Sequence, residues 1–228
     1  MKIGILQTGH VSDKMISATG DYGEIFRRFL HHDGVEFDTY SVVDMDFPSS
    51  ADAAQGWLIT GSKHGAYDPL PFIPKLEALV REIYQRRQPL VGICFGHQII
   101  AQALGGRVEK FSGGWSVGHT SYTLEGQPVS LNAWHQDQVV QCPSEAHILG
   151  SSDFCKYAFL GYGDHVFTLQ AHPEFNSDFI QGLITYRAKG IVPDPLLNEA
   201  SEKLALPNNN TQMRERILNL FLSAMVSS

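Results

Sequence analysis

Short apolar runs and segments of helical periodicity alternate along the first part of the chain. Four apolar runs predict buried strands, at residues 2–7, 37–43, 56–61 and 90–93. Three segments with apolar residues at helical spacing predict helices, at residues 21–30, 71–84 and 95–104. Residues 8–20, rich in glycine, serine and threonine, are predicted to be a loop. Strands that alternate with helices indicate a parallel sheet with helices on both faces.

The pattern changes after Gly106. Short strand-like segments between turns predict antiparallel strands, at residues 107–111, 116–124, 129–134, 148–151, 157–162 and 166–170. A polar run at residues 132–139 interrupts the alternation, and we expect a loop that faces a site. Three more helices are predicted, at residues 178–189, at residues 196–204 and from residue 211 onward. The predicted fold is α/β, with an open, mostly parallel central sheet flanked by helices and an added antiparallel strand region.

The composition limits the class of protein and its partners. The 228 residues are 43% hydrophobic and 18% charged, as in an ordinary globular protein. The formal net charge of −7, with scattered basic residues, argues against a nucleic-acid surface. No apolar run reaches the ~20 residues that span a bilayer, and the three cysteines lack metal-binding spacing. We expect one cytoplasmic domain over residues 1–228, with no cofactor, metal, nucleic acid or membrane partner.

Cys94 is predicted to lie on a sharp turn between a strand and a helix. Gly92 and Gly96 flank it at two residues on either side, and a strained turn needs such small neighbours. The N-terminus of the following helix favours a thiolate over a thiol. This pattern is a nucleophile elbow with cysteine in the place of serine. The alternative is a buried structural cysteine in an α/β core.

His172 is delivered by a predicted strand that Pro173 stops. Glu174 follows two residues later, so on an extended chain both side chains project to the same side. A carboxylate bonded to the imidazole fixes its tautomer and stabilises the imidazolium. His172 and Glu174 therefore have the spacing of the second and third members of a catalytic triad.

Together, Cys94, His172 and Glu174 predict thiol-dependent acyl transfer or hydrolysis at the carboxyl edge of the sheet. His172 is expected to move protons, with activity lost at acid pH as it becomes protonated. The oxyanion needs fixed N–H donors. We expect them from Phe95, directly after the nucleophile, and from the glycine-rich loop at Gly61, although that loop is equally consistent with an ordinary strand–helix connection.

Two motifs carry a resemblance to a known family. The segments Gly92-Ile-Cys94-Phe-Gly-His-Gln98 and Gln-Ala-His172-Pro-Glu174 resemble the class I, triad-type glutamine amidotransferases. The resemblance is greatest to the glutaminase domain of GMP synthase and its stand-alone relatives, which include γ-glutamyl peptidases. It implies a flavodoxin-like class I glutaminase fold and hydrolysis of the glutamine side-chain amide through a γ-glutamyl thioester on Cys94.

The resemblance also implies binding residues and partners. Gln98, together with Trp134, His135 and Gln136, corresponds to the part of the family that holds the substrate, glutamine or a γ-glutamyl compound. Gln136 stands where GMP synthases have glycine, and a synthetase domain is not expected in the chain. The first expectation is a glutaminase that passes ammonia to a separate synthetase subunit. The alternatives are a stand-alone γ-glutamyl hydrolase or peptidase and a non-catalytic relative.

Overall fold

The computed structural model describes residues 1–226, and the side chains of residues 1–224. The strands are β1 (Lys2–Leu6), β2 (Glu36–Tyr40), β3 (Gly56–Ile59), β4 (Leu90–Ile93), β5 (Arg107–Lys110), β6 (Ser116–Leu124), β7 (Gln127–His135), β8 (Asp137–Gln141), β9 (Ala146–Ser151), β10 (Phe159–Tyr162) and β11 (Val166–Leu169). The helices are α1 (Asp13–Thr19), α2 (Tyr22–Phe29), α3 (Phe72–Gln85), α4 (Phe95–Ala103), α5 (Ser177–Tyr186), α6 (Asp194–Glu202) and α7 (Asn210–Val226).

Nine strands form one sheet in the order β2-β1-β3-β4-β11-β10-β9-β6-β7. The first five strands in this order are parallel, and the other four join them antiparallel. Strands β5 and β8 pair separately. The predicted α/β fold is confirmed, and most of the antiparallel region extends the central sheet instead of standing apart from it.

The central strands are buried on both faces. Every residue of β3 and β4 is buried, as expected for parallel strands that helices cover on both sides. Apolar side chains of α3 and α4 pack on one face of the sheet, and those of α2 and α7 pack on the other. No helix among the described residues is long and apolar enough to cross a membrane.

Two of the predicted loops are wrong. Residues 8–20 contain α1, a helix of 7 residues that is too short to show a clear apolar period and buries Met15. The polar run at 132–139 is not a loop but the end of β7 and the start of β8. The sequence pattern of this run does not show a strand, because the buried position at the end of β7 is occupied by polar His135. A strand that packed only against a core would carry an apolar residue there.

Candidate active site

The strand–turn–helix predicted around Cys94 is present. Cys94 follows β4, precedes α4 and has φ 52° and ψ −101°, a left-handed φ that is strained for a residue other than glycine. A Cβ on Gly92 would lie 2.6 Å from the Gly96 carbonyl oxygen, and one on Gly96 would lie 2.3 Å from the Ile59 oxygen. Both glycines are therefore required for β3, β4 and α4 to approach one another at the elbow.

His172 and Glu174 form a buried pair. The His172 Nδ1 and Glu174 Oε1 atoms are 2.7 Å apart, and both side chains are almost completely excluded from solvent. The backbone N–H of His172 donates to the Asn132 carbonyl at 2.8 Å, and this bond ties the segment to β7. The imidazole stacks on Phe175 with ring centres 4.0 Å apart and planes 4° apart. These contacts hold the ring in one orientation.

The surroundings of His172 favour its protonated form. Burial lowers the pKa of His172, but the negative charges of Glu174 and Cys94 and hydrogen bonds with both groups together raise it to about 10. This raised pKa argues against the expected loss of activity at acid pH through protonation of His172. Glu174 and Cys94 thus act together to favour the imidazolium form of His172.

A chain of two glutamine side chains leads away from Cys94. Gln170 Nε2 lies 3.5 Å from Cys94 Sγ, and Gln98 Nε2 donates to Gln170 Oε1 at 3.1 Å. Gln98 Nε2 also donates to the Asp137 carbonyl at 2.9 Å. Gln170 was not predicted as a site residue, although its position two residues before His172 on the same strand face was a usable signal.

A cavity of about 340 Å³ opens beside Cys94 and His172. Six of the nine predicted site residues line it: Cys94, Gln98, Trp134, His135, Gln136 and His172. The other three, Gly61, Phe95 and Glu174, do not line it. Asp137, which belongs to the polar run expected to face a site, also lines the cavity. Further lining residues were not predicted, among them Ser62, Lys63, Tyr67, Lys110, Trp115, Phe175, Leu183, Arg187, Ile191 and Val192.

The predicted binding segment after β7 lines the cavity with different degrees of burial. His135 is buried and its Nδ1–H donates to the Asp137 carbonyl at 3.3 Å. Burial and the nearby charge of His172 lower the pKa of His135 to about 3, so the ring is neutral. Gln136 reaches the Phe111 carbonyl at 3.4 Å, while Trp134 is partly buried among apolar side chains.

The loop at Gly61 packs directly against the imidazole. A Cβ on Gly61 would lie 2.8 Å from His172 Cε1, so a larger residue would displace the ring. The Gly61 carbonyl accepts hydrogen bonds from the Thr8 and Thr60 hydroxyls, at 3.1 Å and 3.0 Å. The Phe95 side chain is buried in the core, and its N–H begins α4, where helix N–H groups lack intrahelical acceptors.

Asp137 is the only carboxylate among the described residues that line the cavity. Its Oδ2 accepts a hydrogen bond from the Tyr67 hydroxyl at 3.0 Å. Burial raises the pKa of Asp137, while Tyr67 and the charge of Lys110 partly oppose this shift. Asp137 and Lys110 thus place a negative and a positive group near each other at the end of the cavity that Gln98 borders.

Comparison with known proteins decides the family. The sequence model described as glutamine amidotransferase class-I matches residues 19–181. The chain belongs to the class-I glutamine amidotransferase family. The fold agrees, because the chain superposes on a glutamine amidotransferase from Methylobacillus flagellatus with a TM-score of 0.74 and 19% identity, covering 100% of this chain and 94% of that one.

Two relatives of this chain have different names. Gamma-glutamyl peptidase 3 of Arabidopsis thaliana is 30% identical over 71% of this chain and 72% of its own length. A glutamine-hydrolysing GMP synthase component from Sulfurisphaera tokodaii is 32% identical over 48% of this chain and 63% of its own length. The two relatives share the family, while their names give different activities.

Proposed function

We propose that this amidotransferase-family chain hydrolyses the amide bond of a γ-glutamyl compound through a thioester on Cys94. The observation that carries the proposal is the geometry at the elbow. A cysteine at a helix N-terminus faces a buried histidine, and a carboxylate 2.7 Å from Nδ1 favours the charged form of that histidine. This arrangement supplies a nucleophile, a proton donor and a group that orients the donor.

In the first half of the reaction, the Cys94 thiolate attacks the side-chain carbonyl carbon of the γ-glutamyl group. The C–N bond then breaks as the His172 imidazolium gives its proton to the leaving nitrogen, which departs as ammonia or an amine. In the second half, neutral His172 takes a proton from water, and the hydroxide attacks the thioester. Glutamate is released, and Cys94 and His172 return to the thiolate–imidazolium pair.

We propose that backbone N–H groups at the start of α4 and in the loop after β3 stabilise the oxyanion. The Phe95 N–H has no hydrogen-bond acceptor within the described part of the chain. For the second donor, predicted at Gly61, the Ser62 N–H is a further candidate. The Thr8 and Thr60 hydroxyls donate hydrogen bonds to the Gly61 carbonyl. The Ser62 N–H belongs to the same trans peptide as this carbonyl, so it points away from the two threonines. Ser62 lines the cavity.

The end of the cavity near Gln98 fits the charged part of the γ-glutamyl group. That group carries an α-ammonium and an α-carboxylate, and Asp137 and Lys110 offer the matching charges. Gln98 joins this end to the nucleophile through Gln170. With the charged end held here, the scissile amide lies towards Cys94 and the leaving nitrogen towards His172.

Two substrates follow from the relatives, and each has an observation in its favour. Similarity to Gamma-glutamyl peptidase 3 over most of the chain, and a cavity that continues beyond Cys94, favour a stand-alone γ-glutamyl hydrolase. Similarity to the GMP synthase component favours a glutaminase that passes ammonia to a separate synthetase. The intact set of Cys94, His172 and Glu174 argues against a non-catalytic role.

Steady-state assays of the purified chain with glutamine and γ-glutamyl-phenylalanine test the proposal. We expect release of glutamate from γ-glutamyl-phenylalanine without a partner, and loss of at least about a thousandfold in kcat for the Cys94→Ala variant. Turnover of glutamine alone, weak until a synthetase is added, would favour the glutaminase. Full activity of Cys94→Ala, or no release of glutamate from either compound, would refute the proposal.

A further inference from the structure

The cavity continues past the catalytic pair along the carboxyl end of α5. Trp115, Leu183, Arg187, Ile191 and Val192 line this extension. Free glutamine releases only ammonia, which needs no binding surface of its own. A lined extension on the leaving side therefore indicates that the departing amine is larger than ammonia.

Ring stacking and helix spacing place this extension on the His172 side. Phe175 stacks on His172, and Phe179 stacks on Phe175 with ring centres 4.1 Å apart. Phe179, Leu183 and Arg187 then follow at intervals of four residues, so they share one face of α5 and the turn that ends it. Arg187 lies about 12 Å further along the helix axis than Phe179. The wall thus leads outward from the group that protonates the leaving nitrogen.

The turn that follows Arg187 is anchored to the core. Ala188 and Val192 are buried and pack against Trp115, and the Val192 N–H donates to the Ala188 carbonyl at 2.9 Å. Gly190 has φ 77°, which allows the chain to reverse there. Ile191 is 61% exposed and lines the cavity. This part of the lining is anchored by buried residues and carries one exposed apolar side chain, that of Ile191.

More positive side chains line the cavity than the single α-carboxylate of the γ-glutamyl group needs. Lys63, Lys110 and Arg187 line the cavity, and within the described residues none of the three forms a salt bridge or a side-chain hydrogen bond. One cation near Asp137 suffices for the α-carboxylate. Arg187, partly buried beside the apolar wall, is available for a second anion.

We propose that Arg187, Trp115 and Ile191 form a subsite for the leaving amine, which is an amino acid or peptide with a free carboxylate and an apolar side chain. The inference rests on the proposed function and specifies its substrate class. An arginine binds a carboxylate through two parallel hydrogen bonds, while Trp115 and Ile191 cover the apolar side chain. Neither contact is possible when the leaving group is ammonia.

Three γ-glutamyl compounds separate this role from a structural one: γ-glutamyl-phenylalanine, its C-terminal amide, and glutamine. Arg187→Gln is expected to lower kcat/KM for γ-glutamyl-phenylalanine, relative to its amide, by about ten- to a hundredfold. Arg187→Lys should restore part of this ratio, since the charge remains. Lys189→Gln, an exposed change two residues away that does not touch the cavity, is the matched control and should leave the ratio unchanged.

Each outcome of this experiment bears on one of the two proposals. An equal loss for the acid and the amide, or no loss for either, would overturn the subsite while hydrolysis by Cys94 stands. Failure of the unmodified chain to cleave any of the three compounds would overturn the proposed function, and the subsite with it. A shift of the ratio in Arg187→Gln but not in Lys189→Gln supports the subsite.

Discussion

Cys94 combines a strained backbone with a charged neighbour. Its left-handed φ of 52° costs on the order of 1–3 kcal/mol, and the packed strands on either side sustain it. The Cys94 N–H donates to the Leu169 carbonyl of β11 at 2.9 Å. His172 follows three residues after Leu169, so this hydrogen bond ties the proposed nucleophile to the segment that carries the residue that protonates its leaving group.

The pH dependence of hydrolysis follows from the charge of His172. Burial lowers its pKa, but Glu174 and Cys94 raise it to about 10. As the pH rises through this value, the proton for the leaving nitrogen is lost, so kcat/KM is expected to fall on the alkaline side. Glu174→Gln removes a charge that raises this pKa, so the alkaline fall should move to lower pH. Activity at neutral pH should drop about 10²- to 10⁴-fold.

Rate profiles from about pH 6 to about pH 11 measure both effects. Glu145→Gln changes an exposed carboxylate outside the cavity and serves as the control. Alkaline limbs at the same pH in the unmodified chain and in Glu174→Gln would show that Glu174 does not set the charge of His172.

At single residues, the sequence predicts what local spacing determines. Glu174 follows His172 by two positions, and an extended chain brings the two side chains together wherever the segment lies. The charge of the imidazolium could not be predicted, because it depends on burial and on Cys94 from another strand. Arg187 also escaped prediction, since only the packing of α5 brings it to the cavity.

The site depends on the crossing of β3, β4 and α4, by which we mean the close packing of the helix start against the ends of the two strands at Gly92 and Gly96. Helix α4 begins directly at the elbow, and the Gly96 N–H donates to the Thr60 carbonyl at 3.1 Å. This bond joins the first turn of the helix to the end of β3. The strand–turn–helix was predictable from the glycines around Cys94, whereas the closeness of β3 was not, because strand order is not encoded in local periodicity.

Gly96→Ala tests this crossing. The added Cβ would lie 2.3 Å from the Ile59 carbonyl oxygen, which is backbone and has little room to move. We expect a loss of about 1–3 kcal/mol in the free energy of unfolding and a lower kcat, measured by urea denaturation and by the hydrolysis assay.

Gly182→Ala in α5 is the matched control. Its Cβ would meet only the end of the Met15 side chain, at 2.7 Å. That side chain is flexible, and alanine is favoured over glycine in a helix by about 0.5–1 kcal/mol. A loss in Gly182→Ala as large as that in Gly96→Ala would contradict the importance of the crossing.

Helix α7 holds the two halves of the molecule together. Arg214 donates to the Phe29 carbonyl at the end of α2, at 2.7 Å. Arg216 forms two hydrogen bonds to Glu125 in the turn between β6 and β7, at 2.9 Å and 2.7 Å. Phe221 is fully buried among side chains from both the parallel and the antiparallel strands. The sequence predicted a helix from residue 211 onward, but it did not show which strands this helix covers.

Phe221→Ala tests the role of α7 in the whole fold. Removal of a fully buried ring is expected to cost about 3–5 kcal/mol in the free energy of unfolding. Leu220→Ala, at a neighbouring and only partly buried position, should cost less. Urea denaturation measures both, and equal losses would indicate that Phe221 does not anchor the helix.

Covalent trapping is the decisive test of hydrolysis through Cys94. Rapid acid quenching of the unmodified chain with excess γ-glutamyl-p-nitroanilide, followed by mass spectrometry, detects any acyl group on the protein. We predict a mass increase of one γ-glutamyl group, located on the peptide that contains Cys94 and absent from Cys94→Ala. Release of p-nitroaniline at the same rate by Cys94→Ala, with no adduct on the unmodified chain, would contradict a thioester on Cys94.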